Sequence, residues 1–233
     1  MIARFVVSVC LLVAAFSATA AYASTRDTDR PPLPQVVVAP LEATVDRPVA
    51  DAVAADVVPT ANPEWVADHA ARTGIPARAL TAYATATLRL QAEQPGCHVG
   101  WTTLAGIGWI ETGHGRELDE DGRPSDTIHG PELDGTGGYA AISGDEGWDR
   151  ARGPMQFIQS TWQTWASDGD GDGVADVDDI DDAAYAAGRY LCHAGGDLTT
   201  PEGWTRAVHA YNHSDEYVQS VLATANEYAA RAS

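Results

Sequence analysis

Eight aspartates fall within the fifteen positions 168–182, and that density constrains the chain more than any other feature. Carboxylates packed so closely repel one another unless a cation or a set of basic groups neutralises them. Their spacing is ordered. In Asp168-Gly169-Asp170-Gly171-Asp172-Gly173-Val174-Ala175-Asp176, oxygen ligands stand at positions 1, 3 and 5, glycine at 6, a backbone carbonyl (Val174) at 7 and an acid at 9. This is the opening of an EF-hand loop, whose hard oxygen donors wrap one calcium ion. Position 12 is Asp179 where a glutamate is usual, and aspartate is one methylene shorter. Asp182, three residues on, is the alternative closing ligand. The plain alternative is a solvated acidic turn. The order of the ligands favours calcium, in a structural role.

Charge narrows the remaining classes. The 233-residue chain has 33 acids against 14 bases, a net charge of −19, and every base is arginine. Neither a nucleic-acid binder nor a polybasic membrane-surface protein is built this way. With 45% hydrophobic and 20% charged residues, the composition is that of a folded domain.

Residues 1–23 read as a cleavable export signal: Arg4, an apolar run from Phe5 to Ala20, then Ala21-Tyr22-Ala23 as a small-x-small site. The run is too short and too diluted by Ala, Ser and Thr for a membrane span, so no stable membrane insertion is expected. Residues 24–60 mix proline, valine and alanine with no aromatic beyond the signal, and read as an extended tether. Removal of the signal leaves two cysteines, Cys97 and Cys192, which in an exported protein read as one disulfide. The rival is zinc, since His98 and His193 follow them, but adjacent Cys-His pairs lack the usual ligand spacing.

The domain, 61–233, is expected to be mainly α. Asn62-Pro63-Glu64 opens a helix that Gly74 ends; a second runs from about 77 to 94, a third over about 102–111, and a fourth over about 160–167. Further helices are read over 182–193, from Thr200-Pro201, and from Ser214 through Ala229. The stretch 112–150 is polar and glycine-rich, and reads as a loop.

Chemistry concentrates at the end of the third helix. Trp109-Ile110-Glu111-Thr112-Gly113-His114-Gly115 places one carboxylate on an otherwise apolar helix, where desolvation favours its protonated form and suits a general acid. Downstream stand Gly153-Pro154-Met155-Gln156-Phe157-Ile158-Gln159-Ser160-Thr161-Trp162 and, near the end, Ala210-Tyr211-Asn212. These three motifs, in this order and with the aspartate loop between the second and third, resemble the secreted lytic murein transglycosylases of the B type. The resemblance covers about 98–230.

It implies a lysozyme-like transglycosylase domain with an inserted calcium-binding loop, acting on peptidoglycan glycan strands as a monomer, secreted or associated with the cell wall. It implies Glu111 as the catalytic glutamate. Thr112, Met155, Gln156, Phe157, Tyr211 and Asn212 would line or orient the sugar. The calcium set would be Asp168, Asp170, Asp172, Val174, Asp176 and Asp182. Thr112 stands where serine is commoner, and Gln159 where proline usually precedes Ser-Thr-Trp. A muramidase on the same fold and a non-catalytic, calcium-dependent wall-binding protein are the alternatives. A second acid could lie among Asp134, Asp145, Glu146 and Asp149. Among the aromatics, Trp148 and Tyr139 are expected to stack on sugar, whereas Trp65, Trp109 and Trp204 are expected to be buried in helices. His114 is expected to pack or cap.

Overall fold

The computed structural model describes residues 59–137, 140–145 and 147–233. The expected signal, and the tether up to residue 58, lie outside the described residues, as do Tyr139 and Glu146. The described residues fall into two compact units, Glu132–Asp149 and the remainder.

The larger unit is mainly helical: α1 (Pro63–Thr73), α2 (Ala77–Glu93), α3 (Trp101–Thr112), α4 (Gln159–Trp165), α5 (Ile180–Gly195), α6 (Pro201–Tyr211) and α7 (Asp215–Ala232). The helix starts follow their caps. The Asn62 side chain accepts from the amides of Glu64 and Trp65 at 2.8 and 3.1 Å, Thr200 accepts from Gly203 at 3.1 Å, and Ser214 from Tyr217 at 3.2 Å. Among the described residues no helix is long and apolar enough to cross a membrane.

α3 is the centre. A helix that is apolar on all sides must be buried on all sides, and every residue from Trp101 to Gly108 is buried. α2, α5 and α7 pack around it, and α6 packs on α5 and α7. Two glycines let the neighbours close in. A Cβ on Gly106 would stand 3.1 Å from the Val221 carbonyl of α7, and one on Gly108 would collide with the Tyr83 hydroxyl of α2. A disulfide between Cys97, in the α2–α3 connection, and Cys192 of α5 staples the arrangement. The histidines beside those cysteines have other partners: His98 Nδ1 lies 2.9 Å from Asp197, and the His193 ring packs on Trp165.

The stretch read as a loop contains short strands: β1 (His129–Glu132), β2 (Ser143–Gly144), β3 (Gly147–Trp148) and β4 (Arg150–Arg152). β1 pairs with β4. In the small unit β2 and β3 form an antiparallel pair, with Ser143 opposite Trp148, and Trp148 is 47% exposed. Strands this short, set among glycines, carry no alternating pattern to be read beforehand.

Candidate active site

α3 runs out of apolar neighbours at its C-terminal turn, and Glu111 emerges there. Gly113 takes the left-handed conformation that ends the helix (φ 66°), its amide donating to the Trp109 carbonyl at 3.0 Å, while the His114 amide donates to Gly108 at 2.9 Å. The first is the bond of an αL cap, and the second ties the following residue to the same turn. The Glu111 carboxyl is thus held on the last turn of a buried, rigid helix.

Burial pushes the Glu111 carboxyl up to about 7, against a smaller opposing effect from the Tyr217 hydroxyl. That phenol, in the first turn of α7, donates to Glu111 Oε1 at 2.6 Å. Burial and the nearby Glu111 charge hold both Tyr217 and Tyr211 well above the usual phenol range, so both remain donors. Tyr211, at the end of α6, donates to the Met155 carbonyl at 2.8 Å. The Thr112 hydroxyl donates to the Pro154 carbonyl at 2.7 Å and accepts from the Gly115 amide at 2.7 Å. Glu111, Thr112, Tyr211 and the 154–155 segment are therefore brought together by α3, α6 and the turn preceding α4.

The remaining expected residues divide. Met155 and Phe157 are buried, Phe157 packing edge-on against Trp162 and Tyr211. Gln156 adopts φ 52°, sparsely populated for a side chain of its size, and its amide donates to the carbonyls of Ile128 and Gly153 at 3.1 and 2.9 Å. The Gln156 amide nitrogen thus ties β1's approach to this turn. Asn212 is exposed at the C-cap of α6. Asp134, Asp145 and Asp149 belong to the small unit, where Asp134 accepts from the Thr136 amide and hydroxyl at 2.8 and 2.6 Å.

Four expectations about aromatic and histidine side chains meet the structure. Trp204 is buried, and its indole donates to Thr103 at 3.1 Å, whereas Trp65 is half-buried, stacked on His69. Trp109 is a correction: it is 52% exposed, and Ile110 beside it 37%, because the elements that enclose α3 end their cover at Gly108. His114 is buried between two tyrosines, as a packing residue would be. Tyr217 is the site residue that motif reading missed. Its signal is present in α7, where Tyr217, Val218, Val221, Leu222 and Ala225 form a buried stripe. A tyrosine in such a stripe needs a partner for its hydroxyl.

A second cluster gathers carboxylate oxygens of Asp168, Asp170 and Asp182, all within 4.8 Å of one another. That separation suits ligands of one ion with metal–oxygen distances of about 2.3–2.6 Å, and an all-oxygen set suits calcium or magnesium. Asp182 is buried at the start of α5 and also accepts from the amides of Gly169 and Asp176 at 2.6 and 2.8 Å. Asp172 and Asp176, expected ligands, are not brought into this group. Asp172 accepts from the Val174 amide at 2.7 Å, Val174 itself being exposed, and Asp176 pairs with Arg123. Asp179 caps α5 by accepting from Asp181 at 2.9 Å and lies 3.3 Å from Arg123. Of the two closing candidates, it is Asp182 that joins Asp168 and Asp170.

No protein-family model matches the chain, and none of the curated proteins does. Among solved structures the chain is similar to an Escherichia coli lytic transglycosylase in complex with bulgecin A, at 16% identity and a TM-score of 0.44, over 74% of this chain and 76% of that one.

Proposed function

We propose that the chain is an exported lytic transglycosylase that cleaves the β-1,4 bond between N-acetylmuramic acid and N-acetylglucosamine in peptidoglycan, leaving 1,6-anhydro-muramic ends. The observation that carries this reading is the Glu111 carboxyl, half-buried on the end of a buried helix, held near 7 and hydrogen-bonded by a phenol. A carboxyl in that state can give up a proton and take it back near neutral pH.

One acid suffices for this reaction. Protonated Glu111 donates to the glycosidic oxygen as the bond to the muramic C1 breaks, with the N-acetyl group of that sugar assisting. The leaving sugar departs with a free hydroxyl. The Glu111 carboxylate, steadied by Tyr217, then accepts the proton of the muramic 6-hydroxyl, whose oxygen closes on C1. The proton is returned to Glu111 and no water is consumed. An intramolecular hydroxyl has a high effective concentration, so the second, water-activating carboxylate of many glycosidases is dispensable. Asp168, Asp170 and Asp182 would hold a calcium ion that braces the segment between α4 and α5 and takes no part in the chemistry.

Incubation of the mature protein with purified peptidoglycan, followed by mass spectrometry, tests this. Anhydro-muramic products are expected, and Glu111→Gln should lower the rate by about 10²–10⁴-fold. Reducing ends would replace the reading with a muramidase. Full cleavage by the Glu111→Gln variant would remove Glu111 from the chemistry, and binding without cleavage would make the chain a wall-binding protein.

A further inference from the structure

His114 is the most unusual buried polar group in the larger unit. It is 2% exposed, takes a left-handed backbone conformation (φ 66°), and uses both ring nitrogens. Nδ1 lies 3.2 Å from the Tyr83 hydroxyl of α2, and Nε2 lies 2.9 Å from the Tyr228 hydroxyl of α7. A left-handed conformation is unfavourable for a residue with a Cβ, so the surroundings must hold it there. The holding groups are visible. Its amide closes the cap of α3, and its ring is flanked by those of Tyr83, Trp109 and Tyr228.

The location gives the arrangement its meaning. His114 lies three residues after Glu111, on the turn that fixes where α3 ends. One of its partners belongs to α7, the helix whose first turn supplies Tyr217 to the same carboxyl. The other partner, the Tyr83 hydroxyl, occupies the notch left by Gly108, so it cannot shift toward α3. The imidazole therefore pins the end of α3 to a fixed point on α2 and to α7.

We infer that His114 is a positioning residue for the Glu111–Tyr217 pair, acting through the Tyr83–His114–Tyr228 relay of hydrogen bonds, and not a group that touches substrate. The inference rests on the catalytic reading of Glu111 given above. Because burial draws the imidazole down to about 4, it stays neutral while Glu111, at about 7, titrates. One nitrogen then donates and the other accepts, which two tyrosine hydroxyls can satisfy. The groups around the Glu111 carboxyl that bear on its protonation are Tyr217 of α7 and Tyr211 of α6.

The test uses His114→Asn, which tolerates the left-handed backbone but cannot reach both tyrosines, and Tyr228→Phe, which keeps the packed ring and removes one partner. Initial rates on solubilised glycan strands, below the melting transition of each variant, should show kcat lowered about 10- to 100-fold with KM unchanged, the cost of a misplaced reacting group. The high-pH limb of the activity profile should also move to higher pH, since a lengthened Tyr217 bond stabilises the Glu111 carboxylate less. Should His114→Asn fail to fold, Tyr228→Phe decides. Folded variants with kcat within about twofold of the parent and an unmoved limb, alongside an inactive Glu111→Gln, would overturn the positioning role and leave the catalytic reading standing. An active Glu111→Gln variant would overturn both.

Discussion

At the scale of single residues, a carboxyl kept protonated near neutrality costs the fold stability. Glu111 holds its proton up to about 7 in the folded chain, against an ordinary 4.5. Below pH 4.5 the group is protonated in folded and unfolded chains alike, and nothing is lost. As pH rises from 4.5 through 7 the unfolded chain releases the proton and the folded chain does not, so stability declines; above 7 the loss is complete. Glu111→Gln keeps the shape without the charge. We expect it to melt with the parent near pH 4 and to exceed it at about pH 8, by on the order of 2 kcal/mol. Equal melting temperatures across that range would mean that the carboxyl is not desolvated. The acid itself was legible because an isolated glutamate on an apolar helix is chemically conspicuous. Tyr217 was not, since 106 positions separate it from Glu111 and only the packing of α7 on α3 joins them.

Both ends of α1 and the starts of α2, α6 and α7 were legible, because Asn62, Gly74, Pro76, Thr200 and Ser214 are capping and breaking residues whose effect is local. The orientation of α3 was not. A helix apolar on every side offers no polar face to show which residues lie beyond its cover, and that is why Trp109 was misplaced in the core. What α3 does declare is how closely it is approached, through Gly106 and Gly108. The Gly108→Ala methyl would meet the Tyr83 hydroxyl and drive it from its notch. Overpacking of this kind costs about 1–3 kcal/mol, and here it would also break the Tyr83–His114 bond, so kcat and melting temperature should fall together. Retained kcat in a destabilised Gly108→Ala protein would separate packing from catalysis. Gly74→Ala, where the added methyl meets nothing, is the control for glycine replacement, its strain lying in the backbone alone. The disulfide acts between elements: it closes a loop across a separation of 95 residues, and its loss should lower stability by about 3–5 kcal/mol in reducing buffer.

For the molecule as a whole, a charge of −19 is spread unevenly, and the structure shows how the densest part is countered. Arg78 pairs with Asp181 and donates to the Glu120 and Asp121 carbonyls at 3.0 and 3.2 Å, Arg89 donates to the Asp168 carbonyl at 2.7 Å, and Arg123 takes Asp176 and Asp179. Counting charges along the chain cannot reveal this division, because these arginines lie 53 to 103 positions before the aspartates they meet. Arginine thus serves one set of aspartates and leaves Asp168, Asp170 and Asp182 as the set a cation would serve. The two sets respond to different reagents. A chelator should lower the melting temperature of the mature protein, and calcium at about a hundred times its dissociation constant should restore about 2.7 kcal/mol, or roughly 5–10 °C. Asp168→Asn or Asp182→Asn should abolish that response, whereas Asp172→Asn should largely keep it. Added sodium chloride, with calcium saturating, should act mainly on the partly exposed Arg123 pairs by screening. Chelator sensitivity lost in Asp172→Asn and kept in Asp182→Asn would assign the ion to a different set of ligands. No response to chelator in the parent would leave arginine as the counter-charge of the loop and remove calcium from the proposal.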